Sequence, residues 1–167
     1  MSATEAFLSE FENEAKTTRR VLERVPTDKL SWRPHPKSMS LGQLALHVAS
    51  VPGSVAEIAA VDTVPNPPNF THPEAATTAE LVPTLTASVE QARRALGGFD
   101  DARMGAMWRL QRGGQDIMAM PRVAFVRAIM LNHWYHHRGQ LLVYLRQLDV
   151  PVPSVYGPTA DENPFAA

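Results

Sequence analysis

Apolar residues in this chain recur mostly three or four positions apart, the period at which a helix keeps one face toward a core. Phe7, Phe11, Leu22 and Val25, with Ala15 and Thr18 between them, predict a first helix over about residues 3–25, stopped by Pro26. A proline-punctuated loop follows to residue 37, with Leu30 and Trp32 as its expected anchors in the core. Ser40-Leu41-Gly42-Gln43 has the form of a capping box, so a second helix starts there. Leu41, Leu44, Val48 and Val51 make its apolar stripe, His47 lies within that stripe, and Val55, Ile58 and Ala59 continue it past Pro52-Gly53. An interior proline removes a hydrogen bond and clashes with the preceding turn, at a cost of about 3 kcal/mol. The expectation is therefore a kink, not an end, and a kink one turn beyond His47 would widen the space beside it.

Residues 61–76 hold Pro65, Pro67, Pro68 and Pro73 and read as a long, extended connection. A tight helical hairpin needs only a few residues, so this one is expected to cross the length of a bundle and set the next helix parallel to the last. His72 in this connection, and His35 between two prolines, read as solvated loop residues. The third helix covers about residues 77–96: Leu81, Leu85, Val89, Ala92 and Leu96 face inward, Thr77 and Glu80 suit another capping box, and Gly97-Gly98 ends it. Between residues 106 and 120 the pattern loosens, and the glycines of Arg112-Gly113-Gly114 suit a small β-hairpin. Pro121 fits the first position of a fourth helix reaching about Leu148, and the proline-rich stretch 151–158 should lie along the outside. Four such patterns predict an all-α domain over residues 1–167, a four-helix bundle with that hairpin before its last helix.

Composition narrows the function classes. Sixteen Lys and Arg nearly balance seventeen Asp and Glu, with no basic cluster, which argues against a nucleic-acid or anionic-membrane surface. The start Met1-Ser2-Ala3-Thr4-Glu5 lacks a secretory pattern, and no apolar run approaches the ~20 residues of a membrane span. A cytoplasmic protein is the expectation. There is no cysteine, hence no disulfide, no thiolate zinc site and no cysteine nucleophile.

The fourth helix carries Asn132-His133-Trp134-Tyr135-His136-His137. Val126, Met130, His133, His137, Leu141 and Tyr144 share one face, so two imidazoles point inward, while His136 is rotated to the flank. A buried polar group without a partner costs roughly 1–3 kcal/mol, so each ring needs a side chain, a water or a metal. Either these are core histidines satisfied separately, or the i, i+4 pair offers two nitrogens to one cation. His47 is a third inward imidazole, and it converges on the pair if the second and fourth helices are neighbours. Three neutral imidazoles suit Zn²⁺ or Ni²⁺ by ligand type, and a single metal site replaces three separate hydrogen-bond solutions. Neither stripe carries a carboxylate nearby, so a coordination position stays open, as in reactive rather than structural sites.

Three segments carry a family resemblance: Ser31-Trp32-Arg33-Pro34-His35-Pro36-Lys37-Ser38-Met39-Ser40-Leu41-Gly42 leading to His47, His133-x-x-x-His137-Arg138-Gly139-Gln140-Leu141, and the closing Val150-Pro151-Val152-Pro153-Ser154-Val155-Tyr156-Gly157-Pro158. Together they resemble the DinB/YfiT family of bundle proteins over nearly the whole chain. The resemblance implies a bundle in up-down-down-up order, often a homodimer, with His47, His133 and His137 as the metal triad. It also implies thiol chemistry, since family members of known activity are similar to transferases using bacillithiol or mycothiol and to thiol-dependent maleylpyruvate isomerases.

A metal on three imidazoles keeps its full charge and acidifies a water or thiol in the open position. Without cysteine, a thiolate nucleophile must arrive on a low-molecular-weight cosubstrate. Thiol transfer to a small electrophile is therefore the leading reading. Gln43, Trp134, Arg138 and Tyr144 are candidates for shaping the pocket, each with a plainer role in packing or in surface salt contacts. Metal-dependent hydrolysis is the alternative, but it lacks a glutamate base beside the triad. A non-enzymatic metal- or small-molecule-binding stress protein is the third. No catalytic residue beyond the ligands is assigned.

Overall fold

The computed structural model describes residues 3–69 and 71–165. Met1 and Ser2, which open the stretch read for a secretory signal, lie outside the described residues, as do Phe70, Ala166 and Ala167. The chain is mostly helical with one small sheet. Its long helices are α1 (Ala3–Leu22), α2 (Leu41–Ala60) and α3 (Leu81–Leu96), and two short ones follow, α4 (Asp101–Gly105) and α5 (Arg122–Phe125). A π-helical stretch, Val126–Asn132, then leads into α6 (His133–Gln147). None of the described helices is long and apolar enough to cross a membrane.

α2 is the central element, packing against α3, α6 and the π-helical stretch. Leu44, Val48, Leu81, Leu96, Val126, Trp134 and Leu141 are buried in one core. The capping box at Ser40 is formed as expected, with Gln43 N–H donating to the Ser40 hydroxyl (3.1 Å) and Ser40 N–H to Gln43 Oε1 (2.9 Å). α2 continues past Pro52 without ending, as expected, because other elements satisfy what proline leaves open. Pro52 has no N–H for the Val48 carbonyl, and the indole N–H of Trp134 donates to that carbonyl instead (2.8 Å). The next amide, Gly53 N–H, donates to Ser88 Oγ of α3 (2.8 Å), whose hydroxyl in turn donates to the Ser50 carbonyl (3.1 Å). A Cβ on Gly53 would stand 2.2 Å from Gln91 Oε1 and 3.0 Å from Ser88 Cα, so glycine is what lets α3 approach this closely.

Residues 106–120 do form a hairpin, β2 (Met107–Arg112) and β3 (Gln115–Pro121), turned by Gly113 at φ 58° and Gly114 at φ 81°. The sheet is larger than a hairpin, however. β1 (Thr63–Val64), inside the expected extended connection, pairs in parallel with Arg109 and Leu110 to give the order β1-β2-β3. Pro121 closes β3, so the helical region begins one residue later than expected, at Arg122. α1 ends three residues early: its last turn tightens, with Val25 N–H on the Leu22 carbonyl (3.2 Å) before Pro26.

Arg122 fastens the sheet to the helices. Its fully buried guanidinium donates to the carbonyls of Ala59 (2.7 Å), Val61 (3.2 Å) and Arg103 (2.6 Å), and it pairs with Asp62. Arg103 adds a bond to the Ala60 carbonyl (2.6 Å). The last carbonyls of a helix have no partner within it, and two arginines meet that need for α2.

Candidate metal centre

α2 presents His47 and α6 presents His133 and His137 to the same point. One ligand nitrogen from each lies within 4.8 Å of the others, and all three rings are half-buried. Ring centres are 5.3 Å apart for His47 and His133, 4.6 Å for His47 and His137, and 4.4 Å for His133 and His137, each pair nearly perpendicular. The π-helical stretch ends where the pair begins. A π turn inserts an extra residue into the helical register and often marks a functional site; here it packs against α2 immediately before α6.

The electrostatics favour neutral rings. Burial first, then the neighbouring imidazoles, push His47 down from 6.5 to about 3 and His137 to about 4. Burial also lowers His133, against the upward effect of the Ile129 carbonyl one turn back. Ligand nitrogens must be unprotonated, so these rings are ready for a cation at neutral pH. The same shifts govern the metal-free fold. Unfolded histidines take up protons below about 6.5, and the folded ones resist until about 3 to 4, so the unfolded state binds more protons in that window and stability is lost as the pH drops through it. Urea unfolding in chelator should give a clearly lower midpoint near pH 5 than near pH 7, and in a His47→Ala/His133→Ala/His137→Ala variant that difference should shrink.

His133 Nδ1 is the buried side-chain nitrogen without a proper hydrogen bond among the described residues. His133 Nε2 and His137 Nε2 lie 2.8 Å apart, and His137 Nδ1 meets Gln140 Oε1 at 2.8 Å. On a tetrahedral ion two nitrogens sit ~3.3 Å apart, a separation that small ring rotations reach. Gln140 holds His137 through the nitrogen facing away from the cluster, as an outer partner of a ligand does. The cluster is compatible with metal binding.

Beside it opens a cavity of about 660 Å³ walled by Val55, Ile58, Trp108, Leu110, Met118 and Phe125. Its described lining contains no Asp, Glu, Lys or Arg. Trp108 stacks on Phe125 (3.8 Å between ring centres) and donates its indole N–H to the Ile58 carbonyl (3.0 Å), so β2 is pinned as the far wall.

The other residues expected near the pocket are not among its described lining residues. Trp134 is fully buried between α2 and α1, donating to the Val48 carbonyl and standing 5.6 Å from the Phe11 ring. Arg138 makes no surface salt contact: it is 1% exposed, pairs with Glu14 (2.6 Å), donates to Thr18 Oγ1 (3.1 Å) and lies over the rings of Tyr135 and Tyr156. Gln43 and Tyr144 act on the rim from behind, donating to the carbonyls of His72 (2.9 Å) and Met39 (3.3 Å). His136 is exposed, 5.0 Å from the His137 ring, and His35 is an exposed loop residue accepting from Lys37 N–H (3.1 Å). His72 is exposed as expected, yet it also lines the cavity. Trp108 and Phe125 escaped sequence reasoning, because a wall contributed by a hairpin and a helix start has no local period.

The family model described as the DinB family matches residues 1–164. The uncharacterized protein YrdA of Bacillus subtilis (strain 168) is 26% identical over 165 residues, covering 93% of this chain and 89% of its own length. A crystal structure of a DinB-like protein from Bacillus cereus ATCC 10987 superposes with a TM-score of 0.70 at 23% identity, covering 91% of this chain and 97% of that one. A DinB-like protein of Bacillus subtilis, YjoA, gives a TM-score of 0.65 at 18% identity, with 93% and 98% covered. These solved structures share the fold.

Proposed function

Since the chain belongs to the DinB family, we propose that it is a metal-dependent enzyme that transfers a low-molecular-weight thiol to a neutral, apolar electrophile. In this reading His47, His133 and His137 hold one divalent ion, zinc or nickel by ligand type. The observation that carries it is the opening of three neutral imidazoles onto an apolar cavity without a charged lining residue. When bound, the ion supplies an uncompensated double positive charge that makes an approaching thiol more acidic.

The chain's own residues do the rest. The walls at Ile58, Trp108, Leu110 and Phe125 exclude water and hold the apolar body of the electrophile against the triad. Gln140 keeps His137 turned so that Nε2 faces the cluster. With no cysteine, the chain offers no thiol of its own. With no carboxylate in the described lining, it offers no carboxylate base for activating water, which ranks hydrolysis second. The same reading takes the helices as a four-helix bundle in up-down-down-up order, working as a cytoplasmic homodimer.

The test is conjugation of a model aromatic electrophile by a panel of small thiols, with and without chelator. Thiol-dependent turnover that chelator abolishes is expected; no turnover with any thiol would overturn the reading. Met118→Glu supplies a second check. Met118 is a half-buried cavity residue paired across the sheet with Leu110. A carboxylate there should raise KM for the electrophile tenfold or more, since an unpaired charge against apolar ligand costs over ~1.4 kcal/mol. Metal content should stay unchanged. An unaltered KM would place the electrophile outside this cavity.

A further inference from the structure

Three imidazoles do not account for all those at this end of the cavity. The ring centre of His72 stands 5.2 Å from that of His47, nearly perpendicular to it and no farther away than His133 at 5.3 Å. His72 lines the cavity mouth, and no hydrogen bond holds its ring among the described residues.

Its backbone, by contrast, is fastened to the first turn of α2. Gln43 Nε2 donates to the His72 carbonyl (2.9 Å), Ala75 N–H reaches the Gly42 carbonyl (3.5 Å), and the Ser40 hydroxyl bonds Glu74. Gly42 allows that approach, because a Cβ there would stand 2.9 Å from Glu74 Cγ and 3.2 Å from the Leu30 carbonyl. The chain thus holds a fourth imidazole at a fixed place beside the triad while leaving the ring free to turn.

A four-coordinate ion on three protein ligands has one position left. The other polar side chains of the described lining are Ser50, Ser54 and Thr71. Both serine hydroxyls donate to helix carbonyls, Ser50 to His47 (3.3 Å) and Ser54 to Ser50 (3.2 Å). Imidazole is also the better donor for a borderline transition ion. Resting on the metal reading of the triad, we propose that His72 is a fourth, displaceable ligand that caps the ion until an incoming substrate takes its place. Its nitrogens lie outside the 4.8 Å set formed by the other three, so ligation requires the ring to turn inward. The unbonded ring permits this, and it distinguishes an exchangeable cap from a fixed ligand.

The test loads the metal-free full-length chain with Co²⁺, in wild type, His72→Ala and His35→Ala. Co²⁺ affinity is read by chelator competition, and azide binding to the Co²⁺-loaded protein by visible absorption. His72→Ala should weaken Co²⁺ at least into the ~10–100-fold range that even an outer partner contributes. It should also bind azide several-fold tighter, since nothing then competes for the open position. His35→Ala should change neither. If either quantity is unchanged in His72→Ala, or His35→Ala behaves alike, the cap is overturned while the triad stands. No Co²⁺ uptake by wild type would overturn the triad itself, and the cap with it.

Discussion

Replacing His47 by alanine should give a protein that folds and no longer retains a divalent ion. Structural zinc sites of four ligands are worth ~10–16 kcal/mol, so one ligand carries roughly 3–4 kcal/mol and its loss weakens binding roughly 10²–10³-fold. His133 and His137 would remain as an i, i+4 pair on α6, two donors without the third from α2. Folding should not suffer, because His47 is only half-buried and alanine suits a helix interior. Equilibrium dialysis followed by metal analysis reads the effect directly. His136→Ala, on the exposed flank, should keep the metal.

The second large effect concerns the fold that carries the site. Arg122→Ala should destabilise the protein by about 3–5 kcal/mol, since each buried carbonyl left without a donor costs ~1–3 kcal/mol. The cost arises because the carbonyls of Ala59, Val61 and Arg103 lose their donor inside the protein. For a chain of this size the loss lowers Tm by roughly 6–20 °C, measurable by calorimetry. Arg122→Lys should recover only part, since an ammonium cannot span three carbonyls and Asp62 with a planar fork. A shift of only a degree or two for the alanine variant would mean that the sheet and the end of α2 are fastened by something else.

The histidine pair on α6 was legible because helical spacing is local: positions 133 and 137 share a face whatever the rest of the chain does. The convergence of His47 depends on α2 lying against α6, a tertiary fact that only the family resemblance supplied. Gly113-Gly114 announced the hairpin, since both residues adopt positive φ. β1 was not legible, being two residues whose pairing depends on Arg109 and Leu110 far along the chain. The π-helical stretch has no signature in Val-Arg-Ala-Ile-Met-Leu-Asn. Buried arginines mislead for the same reason: the partners of Arg138, Glu14 and Thr18, lie more than a hundred residues away. His72 read as a solvated loop residue because nothing local shows that Gln43 holds its backbone beside the triad.

The most direct measurement is anomalous diffraction from crystals of the metal-loaded protein, recorded on either side of the absorption edge. A single strong peak about 2.0–2.2 Å from one nitrogen of each of His47, His133 and His137, facing the apolar cavity, is the expected result. A loaded crystal with no peak there, or with its metal held by other residues, would contradict the account.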